Sequence, residues 1–264
     1  MDIMAVLETR SWFTASPPSV QETLRGLSRN SKGMGDCSGY LSDLAGRPDE
    51  IGGVKHLYIH SVSFGEVYPI FGILTVFRVL KGDESYYYQY FSWKQGPTSG
   101  TKGILLVRTE GKITHLVIMK VESFALGKPF YDCPGGFMEV GDQKTVDLAS
   151  GLVNRMKTEV AEEVGIQLTS EQMKIHNLGR IQTDPGMTNN HPALFAIEID
   201  ASVAGDIKEG ERVNPDVYEL NSGPVIVSID RLWGPNGLIE TNDCSYFHIL
   251  ITRLLSRGFI PGPG

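Results

Sequence analysis

Glu159, Glu162 and Glu163 stand at spacing i, i+3, i+4 in the stretch Thr158-Glu159-Val160-Ala161-Glu162-Glu163-Val164-Gly165-Ile166. On a helix that spacing turns three carboxylates to one face. Like charges packed within one turn repel, and no Lys or Arg lies between them in sequence, so the cluster asks for a cation. Hard carboxylate oxygens suit Mg2+ or Mn2+, ions that in turn grip phosphate oxygens. Upstream runs Pro134-Gly135-Gly136-Phe137-Met138-Glu139-Val140-Gly141-Asp142, a turn whose glycines admit close backbone approach and whose Gly136 carbonyl can add an oxygen ligand. An acidic helix face by itself is ordinary solvated surface. The glycine turn ahead of it shifts the reading towards a site.

Turn and helix together resemble the box of the Nudix hydrolases: Gly, five residues, Glu, seven residues, then Arg-Glu-Φ-x-Glu-Glu-x-Gly-Φ, where Φ is aliphatic. Asp142 stands where the family has Glu, and fifteen residues rather than seven separate it from Thr158. Thr158 replaces the family's Arg, which orients the glutamates through ion pairs; Arg155, one helical turn earlier, is the candidate substitute. Asp184-Pro185-Gly186-Met187-Thr188, ahead of Leu194-Phe195-Ala196, resembles the Pro-Gly loop of relatives that cleave ADP-ribose and similar sugars. Val225 to Leu232 and the terminal helix resemble that subgroup's last strand and helix, so the likeness covers roughly Thr101 to Phe259.

The resemblance implies metal-dependent hydrolysis of a nucleoside-diphosphate-linked compound, of the ADP-ribose or nucleotide-sugar type, at the pyrophosphate. Glu159, Glu162 and Glu163 would be the catalytic acids and the ligands of Mg2+ or Mn2+, with the Gly136 carbonyl. Relatives often draw a base from a later loop, and Lys208-Glu209-Gly210-Glu211-Arg212 offers Glu209 and Glu211. Substrate contacts are expected from Asp142, Pro185 and Gly186, from Arg108 as a phosphate partner, and from Tyr90 and Trp93. Those last two sit in the run Tyr86 to Trp93, one face of which can stack a nucleobase. A homodimer through the N-terminal strands is a further family expectation. Two alternatives stay open. The altered box suits a Nudix-fold nucleotide-binding or interaction module that turns nothing over. The segment from Phe91 through Gly103 to Met119 is also similar to sugar-nucleotide 2,3-dehydratases, which modify the sugar instead.

Elements must hold these residues. Val146, Ala149, Val153, Met156, Val160 and Val164 share one arc at about 100° per residue, which predicts a helix from about Thr145 to Val164 ending at Gly165. Val54–Val62, Ile70–Leu80, Tyr86–Trp93, Ile104–Arg108 and Ile113–Val121 read as strands. With Lys81-Gly82-Asp83-Glu84 and Glu110-Gly111-Lys112 as hairpin turns, they predict one antiparallel meander. Ile181–Thr183, Leu194–Ile199 and Pro224–Ile229 read as later strands, and Ser245–Ser256 as a closing helix. The first fifty residues read as a lead-in, with one short helix capped by Ser19 and a loop from Ser28 to Gly39. The expectation is an α/β (α+β) fold: a Nudix-type α/β/α sandwich over 101–264 after a mostly antiparallel extension over 1–100.

Composition narrows the field. The net charge of −7 argues against a nucleic-acid partner, which needs clustered Lys and Arg, but not against a small phosphorylated ligand. No apolar run is long enough to cross a bilayer, and Met1-Asp2-Ile3 opens with an acid where a secretory signal carries bases. A cytoplasmic protein without a membrane partner is expected. Cys37, Cys133 and Cys244 lie far apart with no CxxC pair, which indicates reduced thiols rather than a disulfide framework or a zinc knuckle.

Overall fold

Strand-forming runs make up two sheets here, where the sequence had suggested a single meander. The computed structural model describes residues 2–29, 35–65, 71–123, 126–139, 142, 147–211, 213 and 221–263. Two units are distinguished, Met1–Ser99 with Ile181–Pro192, and Gly100–Arg180 with Ala193–Gly264.

In the first unit β1 (Glu50–Ile51), β2 (Val54–Phe64), β3 (Gly72–Lys81) and β4 (Glu84–Trp93) form a sheet in chain order, antiparallel throughout. The β3–β4 hairpin closes at Lys81↔Glu84, with Gly82 at φ +58°. The meander stops there because Gln95-Gly96-Pro97 follows: Gly96 takes φ +80°, and Pro97 has no N–H to continue a ladder. Ahead of the sheet lie α1 (Ile3–Glu8), α2 (Ser11–Thr14), α3 (Pro18–Ser28) and α4 (Ser38–Gly46). The lead-in is therefore largely helical. Its helices bury Trp12, Phe13, Leu24 and Leu44 against Ile59, Ile73 and Phe77 of the sheet. Helix α3 is capped by Pro17, with Pro18 at its first position, so Ser19 lies inside it. Of the loop expected between Ser28 and Gly39, residues 30–34 lie outside the described residues, as does Ile70.

The second sheet runs β10-β6-β5-β9-β8, from β5 (Thr101–Thr109), β6 (Lys112–Ser123), β8 (Met173–Arg180), β9 (Ala193–Asp200) and β10 (Asn221–Ser228). Strand β7 (Lys128–Asp132) pairs with β6 as well, and β5 and β9 are parallel. The strand expected at Ile181–Thr183 is irregular chain; the strand there is β8, whose edge position and polar alternation hid it. Helix α5 (Leu148–Glu159) continues into a widened π turn, Val160–Val164, which ends at Gly165 with φ +81°. Short helices α6 (Ala201–Ala204) and α7 (Leu238–Thr241) precede α8 (Ser245–Ser256).

Both faces of this sheet are covered, as the sandwich expectation requires. Leu105 and Val107 of β5 pack with Leu152, Met156 and Val160. Alternation turns Ile104 and Leu106 to the other face, where α8 buries Phe247, Leu250, Ile251 and Leu254 against β5 and β9. The apolar arc of α5 departs from the expected one. Ala149 is exposed, Val146 lies outside the described residues, and Arg155 and Glu159 are buried beside Leu152 and Met156. No helix among the described residues is long and apolar enough to cross a membrane.

Candidate functional site

The glycine turn occupies a split in the second sheet. β5 pairs with β6 only from Thr109 to Leu105, after which β6 pairs with β7. The chain leaving β7 then crosses to the start of β5, where Gly103 N–H donates to Pro134 O (2.8 Å) and Thr101 N–H to Gly136 O (3.0 Å). Gly135 must be glycine here, and a side chain on Gly136 would displace the Glu159 carboxylate. Gly135 has φ +148°, and a Cβ there would lie 2.2 Å from Thr101 O; a Cβ on Gly136 would lie 2.1 Å from Glu159 Oε1. The Gly136 carbonyl, expected as a metal ligand, thus has one lone pair engaged with Thr101.

The helix presents its acids to this turn, though unequally. Glu159 is 2% exposed, Glu163 is half-buried, and the Glu162 side chain is 44% exposed. Glu163 Oε2 accepts from Gly135 N–H at 2.6 Å. Arg155 binds the rest: its Nε donates to Glu159 Oε1 (2.6 Å), NH2 reaches Glu159 and Glu162 (3.3 Å to the latter), and NH1 pairs with Glu139 (3.1 Å). The guanidinium of the preceding turn, Arg155, therefore lies among the carboxylates. Burial pushes the Glu159 carboxyl upward, and Arg155 opposes that. Thr158 is exposed and bonds back to Asn154 O (3.2 Å), away from the acids. Asp142 and Glu139 close a local turn, with Glu139 N–H on Asp142 Oδ2 at 2.9 Å and Asp142 N–H on Glu139 O at 3.1 Å.

In kind, the donor set fits a divalent cation. Three carboxylates on one guanidinium leave negative charge in surplus, and every donor is a hard oxygen. Their placement does not converge: among the described residues no three Asp, Glu, His or Cys side chains are grouped so as to hold one ion. Arg155 stands between them. The last turn, Val160–Val164, which carries Glu162 and Glu163, is a π turn rather than a regular helix.

The remaining expected residues fall elsewhere. Glu209 accepts from Ile226 N–H at 2.9 Å, and Glu211 pairs with Lys208 at 3.7 Å. Their loop does approach the acidic helix, because Val213 is the neighbour that a Cβ on Gly165 would meet. Arg108 is committed to Glu198 and to Gly111 O, near the far end of β5, roughly 23 Å from Thr101 at strand rise. Tyr90, Trp93, Pro185 and Gly186 belong to the first unit. Tyr90 is 3% exposed beneath the Arg47 guanidinium, which lies 4.0 Å from its ring, so it is core and no stacking surface. Trp93 is half-buried edge-on to Phe91, with ring centroids 5.0 Å apart. Pro185 and Gly186 form a turn along β4, where Tyr88 Oη donates to Gly186 O at 3.0 Å. The sequence reading missed Glu139 and Lys102. Each carries its chemistry through a partner distant in sequence, and no spacing rule finds such pairs.

No family model matches the chain, and no curated protein matches it. Solved structures similar to it include three Nudix-type or ADP-compound proteins. A crystal structure of an ADP compounds hydrolase is 14% identical, covering 76% of this chain and 96% of that one, with a TM-score of 0.44. A MutT/Nudix family protein from Listeria innocua is 15% identical, covering 61% and 94%, at 0.41. The Nudix domain of Shewanella oneidensis NrtR, solved with ADP-ribose, is 9% identical, covering 60% and 86%, at 0.38. Likeness at this level is distant, and the functional reading stands on the chain's own side chains.

Proposed function

We propose that this chain hydrolyses a nucleoside-diphosphate-linked compound, of the ADP-ribose or nucleotide-sugar type, at its pyrophosphate, with Mg2+ or Mn2+ as cofactor. The supporting observation is that one guanidinium, Arg155, gathers Glu159 and Glu162 beside a glycine turn whose Gly135 N–H holds Glu163, within a box-like sequence. Glu159, Glu162 and Glu163 would hold the ion, with the free lone pair of the Gly136 carbonyl. Bound there, it would neutralise pyrophosphate charge and lower the pKa of an attacking water.

The chain's own contribution is positioning. Arg155 fixes two of the carboxylates and Gly135 the third, while the absent side chain of Gly136 keeps the space beside Glu159 open. Glu162, the most exposed of the three and the more weakly held by Arg155, is the one that must swing to complete a coordination set. Glu209, which accepts from the Ile226 amide, and Glu211, paired with Lys208 at the surface, are the candidate bases. Arg108 and Tyr90 are left out because both are committed to partners of their own. A cytoplasmic homodimer acting on a small-molecule partner belongs to the same reading. A second reading, a nucleotide-binding module without turnover, is favoured by Arg155 standing where a cation would complete the acids.

One assay separates them. The full chain is incubated with Mg2+ and a panel of nucleoside-diphosphate sugars including ADP-ribose, and nucleoside monophosphate release is followed. Release that Glu162→Gln or Glu163→Gln abolishes is the expected result. Ligand bound without release, with or without metal, overturns the hydrolase in favour of the binding module. A sugar altered with its pyrophosphate intact overturns it in favour of sugar-modifying chemistry.

A further inference from the structure

The start of β5 grips the glycine turn at three points from three consecutive residues. Thr101 and Gly103 use backbone N–H groups, on Gly136 O and Pro134 O. Between them Lys102 uses its side chain, with Nζ 3.0 Å from Cys133 O. The backbone bonds are what any strand offers; the third comes from a largely buried charge. Lys102 Nζ also lies 2.6 Å from Asp132 Oδ2, and these side chains are only 19% and 15% exposed. Asp132 Oδ1 accepts from the Cys244 thiol at 3.1 Å, and the Tyr246 ring centroid is 5.8 Å from Nζ. After Asp132, Glu163 is the carboxylate whose field does most to keep Lys102 charged. An apolar pair of similar volume would often serve stability as well as such an ion pair, so stability alone does not account for it.

We propose that Lys102 is a positioning residue for the acid site: through Cys133 O it orients the turn so that Gly135 N–H meets Glu163 and Gly136 lies against Glu159. Its functional meaning rests on the hydrolase reading above. The orientation itself can be read without activity.

Lys102→Met alone would strand a buried carboxylate, so the test variant is Lys102→Met with Asp132→Asn. Amide hydrogen exchange is followed residue by residue in the full-length protein, and Mn2+ affinity by electron paramagnetic resonance. Exchange at Gly135 should accelerate about tenfold or more, with Mn2+ affinity down about tenfold, the usual effect of removing a supporting hydrogen bond. Amides of β2 to β4 should exchange as in the wild type. Lys102→Arg keeps the charge beside Asp132 but changes the donor to Cys133 O; it is the second variant if the first does not fold, and should shift Gly135 in the same direction. Unchanged Gly135 exchange in the folded variants overturns the proposal. A wild-type chain that binds no Mn2+ overturns the hydrolase reading instead, and Gly135 exchange still decides the role of Lys102.

Discussion

Arg155 meets the acids Glu159 and Glu162 from one helical turn earlier than a guanidinium at position 158 would. Directly before the first glutamate this chain has Thr158, exposed and turned to Asn154 O. Position 155, four residues before Glu159, lies on the same helical side, and its side chain is 10% exposed. Arg155→Ala should therefore leave Glu159 buried without its cation and cost about 3–5 kcal/mol in urea denaturation. Adding Thr158→Arg should restore little of that, because a side chain leaving position 158 starts from the solvent side. Full recovery of the midpoint in the double variant would show that position 158 reaches the acids after all.

At the scale of elements, helix α5 and the turn from β7 to β5 frame the candidate site between them. The helix begins under a side-chain cap: Asp147 accepts from Ser150 N–H (2.8 Å) and from the Ser150 hydroxyl (2.9 Å). Asp147→Ala should lower the unfolding midpoint measurably in thermal or urea denaturation, since the amide it serves has no helical partner. No change would mean that packing of Leu152 and Met156 alone sets where the helix starts. The other end of the helix was only half legible. Periodicity predicted the helix and its stop at Gly165, but not the π turn over Val160–Val164, whose Val160 and Val164 are both in the core.

At the scale of the whole molecule, buried ion pairs set the response to acid. Burial alone would raise Asp132 and Glu198; Lys102 for the first, and Arg108 with His176 for the second, more than reverse this and hold both below the usual carboxylate range. Their stabilisation is thus present above the unfolded pKa and lost as pH falls through the depressed folded one. Glu159, raised chiefly by burial, works the other way, its contribution present at low pH and fading as pH rises past the ordinary range. Urea denaturation should show stability falling below about pH 4, more gently in Glu198→Gln. An equal fall in that variant would remove Glu198 from the account. The hairpin turns at Gly82 and Gly111, strand β9, helix α8 and the acids of α5 could be read from sequence, because each is set by alternation, helical period or turn chemistry within a few residues. The tertiary structure alone decided that the strands divide into two sheets, that β7 fills the split beside β5, and that Arg108 and Tyr90 are engaged in partnerships of their own. Those outcomes depend on which residues distant in sequence come to share a sheet edge or a charge, and no local spacing encodes that.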